Sequence, residues 1–168
     1  MPTLRFWPRV PGLLLVLGLL LLLNNPAAAQ EDEVASVTQL AHDFMHALSI
    51  RDIGRLDEFL APQAMLYSVR EDEQGPVLGA RTREDFLQGL GGDTRQFLER
   101  IWEPVVEVSG RVAMVWSPYD FHLDGSFSHC GIDVLTLLRL DGGWKVASIT
   151  YNVVREGCGP SPLGAPGG

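Results

Sequence analysis

The side chains able to do acid–base work gather between Trp116 and Tyr151. Asp133 interrupts an apolar run formed by Ile132, Val134, Leu135 and Leu137. Ionising a carboxyl there is costly, so burial raises its pKa and suits it to act as a general acid or to donate a hydrogen bond to a ligand oxygen. Satisfaction by a nearby hydroxyl, such as that of Thr150, explains it equally well. His129 falls on the same face of a strand, because side chains alternate with a period of two. Its imidazole can donate, accept or carry a proton near neutrality. Asp120 is expected across the ladder from His129, where it would fix the tautomer, and Trp116 beside Asp133 as an apolar wall. His129, Asp133 and Asp120 are therefore the catalytic candidates, against a purely structural His–Asp pair near the mouth of the fold.

That placement depends on two turns. Asp124-Gly125 is a two-residue hairpin signal, because a type I′ turn needs positive φ at both central positions. Pairing Leu123 with Ser126 puts Asp120 opposite His129, Pro118 opposite Gly131 and Trp116 opposite Asp133. Asp141-Gly142-Gly143 marks the second turn. A two-residue turn there pairs Asp133 with Thr150 and leaves Tyr151 on the outer surface. A three-residue turn that includes Gly143 shifts the register by one and brings Tyr151, with Ile149 and Ala147, to the face of Asp133. The second is preferred, because Gly143 suits a left-handed position and because the Asn152 amide then stays out of the interior.

The elements that would cover this block lie upstream. From Val34 to Ser49, Val37, Leu40, Ala41, Phe44 and Leu48 recur at helical spacing and form one stripe. His42 and His46 have an i, i+4 spacing that can hold a metal, but each projects about 160° from Phe44 at 100° per residue. They are read as a solvated pair, and no metal or cofactor is expected. A short helix over Asp52 to Leu60 precedes strands at Ala64 to Val69 and Pro76 to Ala80. Thr82 with Asp85 resembles a capping box that opens a third helix. Gln96 to Val108 starts like a helix and ends as a strand. Two to three helices followed by mostly antiparallel strands make an α+β fold, with the helices on one face of a curved sheet.

Residues 1–29 read as a cleaved signal peptide: Arg5 and Arg9, an apolar run from Gly12 to Leu23, then Ala27-Ala28-Ala29. The run falls short of the roughly 20 apolar residues a membrane span needs. A periplasmic or secreted protein with no membrane attachment after cleavage is expected. Losing Arg5 and Arg9 takes the formal net charge from −8 to −10, which argues against nucleic acid, whose phosphates need a basic footprint. Residues 31–158 suit one domain. Residues 159–168, rich in Gly and Pro, are expected to form a disordered tail.

The run Ser128-His129-Cys130-Gly131-Ile132-Asp133, the strand start Gly143-Trp144-Lys145-Val146 and the ending from Tyr151 to Cys158 resemble the nuclear transport factor 2-like superfamily. The likeness is greatest to its secreted lumazine-binding-like or SnoaL-like branch, and it spans about Val34 to Cys158. It implies a cone-shaped sheet of the cystatin-like kind, open at one end. Members with a cysteine at both places imply a Cys130–Cys158 disulfide, which export to an oxidising space and the expected approach of Cys130 to Val153 or Val154 also favour; two independent thiols are the alternative. In the steroid-isomerase branch, Asp133 matches the Asp that donates to the oxyanion. The helix Tyr becomes Phe44 and the base Asp becomes Ser68, so steroid isomerisation is not expected.

Three readings follow. The first is a binding domain for a small, partly apolar or heteroaromatic molecule, with Phe44, Trp116, Asp120, His129, Asp133 and Tyr151 around it. The second is a lyase or isomerase using a His–Asp acid–base pair. The third is a non-catalytic assembly module, a homodimer through an apolar outer face formed by Ile132, Val134, Leu138, Ile149 and Tyr151.

Overall fold

The computed structural model describes residues 26–166. Two compact units divide the chain, Met1–Asp32 and Glu33–Gly168. Of the first, residues 26–32 begin a helix, and the rest of the expected signal lies outside the described residues. Helix α1, Pro26–Ile50, buries Val37, Ala41, Phe44, Met45 and Leu48. His42 and His46 lie on its exposed side. Helix α2, Ile53–Phe59, is capped by Asp52, whose carboxylate accepts from the Arg55 amide at 3.0 Å. Helix α3, Arg83–Gly92, opens on a complete Thr82/Asp85 capping box. No described helix is long and apolar enough to cross a membrane.

Seven strands follow the helices or run between them: β1 Leu60–Asp72, β2 Gly75–Thr82, β3 Phe97–Ile101, β4 Val105–Ser109, β5 Val112–Leu123, β6 Ser126–Leu140 and β7 Gly143–Val153. The sheet order is β2-β1-β7-β6-β5-β3, with β4 also paired to β5. The pairing of β1 with β7 is parallel, so the sheet is mixed. The three helices pack on one face, and the architecture is α+β of the nuclear transport factor 2-like, cystatin-like kind. The helical start expected near Gln96 is strand β3 instead. A short apolar run does not distinguish the two periods, but Phe97, Glu99 and Ile101 alternate inward. The Glu99 amide is taken by Ser49 Oγ of α1 at 2.8 Å, which ties this strand to the helix.

Two bulges set which side chains face the helices. The Asp124-Gly125 turn forms with positive φ at both residues, and Leu123 pairs with Ser126. Three residues later the ladder slips: His122 pairs with Phe127, whereas Phe121 pairs with His129, leaving Ser128 as the extra residue. Asp120 therefore faces Cys130, Pro118 faces Ile132 and Trp116 faces Val134, while Ser117 is opposite Asp133. A slip of one residue exchanges the faces. Consequently Asp120 and Trp116 are on the outer face, away from His129 and Asp133.

The last hairpin reaches the preferred arrangement by another route. Its turn is the two-residue kind, with Leu140 opposite Gly143, and Gly143 has φ +102°. A bulge at Ala147 then shifts the register, so that Asp133 pairs with Tyr151. Ile149 and Tyr151 turn inward and leave the expected outer apolar set. Beyond Tyr151 the strands close tightly: the Ile132 amide donates to Asn152 Oδ1 at 2.7 Å, and a Cβ on Gly131 would overlap the Asn152 carbonyl oxygen. Cys130 bridges to Val154, and the Cys130–Cys158 disulfide is present, with a Cα separation of 6.2 Å. Residues 159–166 carry turns but no helix or strand. Arg100 Nη1 donates to the Gly164 carbonyl there at 3.0 Å.

Candidate functional site

A cavity of about 580 Å³ opens between α1, α3 and the helix-covered face of the sheet. Phe44 of α1 and Phe86 of α3 stack over one side, with centroids 6.5 Å apart. Phe97 and Phe121 meet edge to face at 5.4 Å. Of the residues singled out in the sequence, Phe44, His129, Asp133 and Tyr151 line this cavity. Trp116, partly exposed on the outer face, and Asp120 do not.

The polar groups converge on the strands. Asp133 is 1% exposed, and its Oδ2 has no hydrogen-bond donor among the described residues. Beside it lies Glu99 of β3, half-buried as a residue but with its carboxyl enclosed. Burial, the charge of Asp133 and a hydrogen bond to it all push the Glu99 carboxyl well above the usual carboxylate range. Burial raises Asp133 to about 7, partly offset by the hydrogen bond from Glu99. Two buried carboxyls in contact cannot both ionise, so the pair holds a proton jointly at neutral pH. It is both a donor and an acceptor.

His129 does not titrate near neutrality as its type suggests. Burial, reinforced by the charge of Arg155, lowers its pKa to about 4, and the ring is neutral at pH 7. Its Nδ1 lies 3.0 Å from Ser128 Oγ, the bulged residue, which stands in the tautomer-fixing place expected of Asp120. The imidazole meets Tyr119 edge to face at 5.7 Å. Tyr119 donates its hydroxyl to the Asn152 carbonyl at 2.9 Å, and burial together with the nearby carboxyls raises its pKa. Ser68 is in register with Tyr151, whose phenol its hydroxyl hydrogen-bonds; burial still leaves the Tyr151 pKa raised.

Asp120 sits on the opposite face in a different environment. Arg100 grips it with two hydrogen bonds, Nε to Oδ1 at 2.8 Å and Nη2 to Oδ2 at 2.5 Å. Burial alone would raise its pKa, but these bonds and the guanidinium charge hold it below the usual range. The His129–Asp120 acid–base pair is therefore not assembled. Glu99 and Tyr119 escaped the sequence reading. The alternation Phe97, Glu99, Ile101 carried the signal for the first; the second depended on a bulge that no turn residue announces. Among the described residues no group of three or more His, Cys, Asp or Glu could hold a metal ion.

With this geometry in view, comparison with known proteins assigns the family. A family model described as "Putative lumazine-binding" matches residues 32–152. The chain belongs to this family. No curated protein matches the sequence. Among solved structures, a nuclear transport factor 2-like superfamily protein from Salmonella enterica is 13% identical with a TM-score of 0.59, covering 82% of this chain and 98% of that one. A cystatin-like-fold protein of unknown function from Nostoc punctiforme is 15% identical with a TM-score of 0.57, covering 76% and 92%. A further nuclear transport factor 2-like protein of unknown function, from Silicibacter pomeroyi, is 21% identical with a TM-score of 0.53, covering 73% and 97%. These likenesses show that the lumazine-binding-like family member shares its fold with nuclear transport factor 2-like and cystatin-like proteins.

Proposed function

We propose that the protein is a small-molecule-binding domain whose cavity holds a partly apolar, heteroaromatic compound between aromatic side chains. Its polar edge meets Asp133, Glu99 and His129. The observation that carries this reading is a cavity of about 580 Å³ with apolar walls and buried polar groups converging within it, the usual composition of a ligand site. The name of the family supports it. A thermal-shift screen of small aromatics and sterols tests it: a binder raises the melting temperature of the parent and loses that effect when Phe44 is replaced by Ala. If no compound does so, and the His129→Ala, Asp133→Ala double variant is more stable than the parent, the cavity is only core.

Export to the periplasm or the outside completes the proposal, supported by the Cys130–Cys158 bridge, since such bonds persist in oxidising compartments. A homodimer through the outer face is part of it too. Val105, Val112 and Trp116 are 51%, 50% and 39% exposed there, and Val105 pairs directly with Trp116. A monomer in sedimentation at micromolar concentration refutes the dimer and leaves the binding reading intact.

A further inference from the structure

We propose that the cavity selects an aromatic ligand carrying a protonated nitrogen, an arylalkylamine or a cationic N-heterocycle, whose N–H groups seat on the Glu99–Asp133 carboxyl pair. The inference rests on the small-molecule reading above and narrows it to a charge class.

The pair is a built acceptor. Asp133 Oδ2 is buried without a donor, and Glu99 can offer it at most one proton. A buried acceptor left unmet costs free energy, so a ligand that brings N–H groups is favoured over one that does not. Among the described residues no buried cation is paired with Asp133 or Glu99. Arg81 and Arg95 line the cavity but are exposed, and Arg95 is held by Asp93 through Nη2 to Oδ2 at 2.5 Å. Asp85 and Asp93 balance these two charges among the lining residues. The outer face shows the opposite solution, in which Arg100 neutralises Asp120.

The remaining wall suits a cation equally. Of the titratable groups facing the pair, Tyr119 from β5 is committed to a backbone carbonyl, Tyr151 from β7 leans on Ser68, and His129 from β6 stays uncharged. From α1 and α3 the lining is Phe44, Met45, Leu48, Phe86 and Leu90, with Asp85 beside them. Aromatic faces attract cations through their quadrupole. The chain as a whole, at −8, also raises the local concentration of positive ligands. An anion would meet the carboxyl pair at the inner end of the cavity.

Three probes with one ring and three charges decide the matter: tryptamine, indole-3-ethanol and indole-3-acetate, titrated calorimetrically into the full-length protein at pH 6 and pH 8. Tryptamine is expected to bind at least tenfold more tightly than the alcohol at pH 8, with the acetate weakest. Its affinity should rise several-fold from pH 6 to pH 8, as the pair gives up its proton, with proton release visible as a buffer-dependent heat; the alcohol should show neither. Glu99→Gln and Asp133→Asn should abolish the preference for the amine while leaving the alcohol bound. If the alcohol or the acetate matches tryptamine at both pH values, or if the variants keep the preference, the cation proposal falls and the binding reading stands. If none of the three binds at millimolar concentration, both fall. The charge and pH series uses the unaltered protein, so it decides even if a variant does not fold.

Discussion

Asp120 and Asp133 belong to the same hairpin, are 4% and 1% exposed, and are displaced from the ordinary carboxylate range in opposite directions. The difference is in what each was given as a neighbour. Asp120 has a bidentate Arg100 on the adjacent strand, so its charge is compensated within the fold. Asp133 has another carboxyl in place of a cation, so burial raises its pKa and only the hydrogen bond from Glu99 offsets it. The first arrangement holds strands together and leaves nothing to bind. The second leaves a buried acceptor without a donor among the described residues, in a side chain that lines a cavity, which a packed core avoids unless the site has a use. Burial of a polar group therefore does not separate structural from functional residues; the identity of its partner does.

The contrast breaks most forcefully at Arg100. Arg100→Met strands a buried carboxylate, and the cost expected from breaking a buried pair is about 3–5 kcal/mol. Urea unfolding at pH 7 measures it, and a loss below about 1 kcal/mol would mean that the pair is solvated and the two aspartates are not so different. Next in size is the staple beside it. The Cys130–Cys158 bridge closes a loop with a sequence separation of 28, for which chain entropy gives about 3–4 kcal/mol. Cys158→Ser should lower stability by that order, and the effect should be absent when both proteins are compared under strong reductant.

Much of this contrast was legible before any coordinates, and the part that was not has a definite cause. The capping box at Thr82, the buried stripe of α1, the Asp124-Gly125 turn and the cystatin-like architecture are local signals, each written in a few adjacent residues. Asp133 as a buried carboxyl was equally plain from its apolar neighbours. What failed was register. Ser128 and Ala147 are unremarkable residues that act as bulges, and each moves the ladder by one. The first carried Asp120 and Trp116 to the outer face and put Tyr119 in their place. The second brought Tyr151 to Asp133 although the turn itself was of the kind expected to exclude it. Glu99 is hidden because the residues after Gln96 carry a helix-like start, although Ser49 of α1 has the hydroxyl needed to hold the strand at the sheet edge.

The inner side of the contrast is sharpened by Asp133→Asn. Replacing an opposed carboxyl by an amide should stabilise the protein by about 1–3 kcal/mol at pH 8, the ordinary range for an incompletely satisfied buried polar group. The sign follows from linkage. Both Asp133 and Glu99 have raised folded-state pKa values, so each contributes stability that is fully present in acid and is lost as pH rises; for Asp133 the loss runs from the unfolded value near 3.8 through about 7. The gain from Asp133→Asn should therefore be small at pH 4 and grow toward pH 8. Asp120→Asn should behave in the reverse sense, because its pKa is lowered: the parent's advantage is present at neutral pH and fades in acid. Chemical denaturation of both variants across pH 4–8 provides the comparison, and parallel profiles for the two would dissolve the distinction.

The smallest expected effect isolates His129 from the carboxyls around it. Its folded-state pKa is lowered from 6.5 to about 4, so between those values the unfolded chain binds a proton that the folded one refuses. Stability therefore falls as pH drops from about 6.5 toward 4, opposite in slope to the Glu99–Asp133 contribution over the same interval. The two trends partly cancel in the parent, which should show a shallow profile there. His129→Gln keeps a neutral polar side chain and removes only the titration, so it should regain about 1–2 kcal/mol at pH 5 relative to pH 8, the part of the shift's energy equivalent that is developed by pH 5. In the Asp133→Asn background the histidine's slope should stand out more clearly, since part of the opposing contribution is gone. If His129→Gln leaves the pH 5 to pH 8 difference unchanged in both backgrounds, the imidazole takes up its proton in the folded state without penalty. The cavity wall would then be wetter and more positive in mild acid than its aromatic neighbours Tyr119 and Phe121 imply.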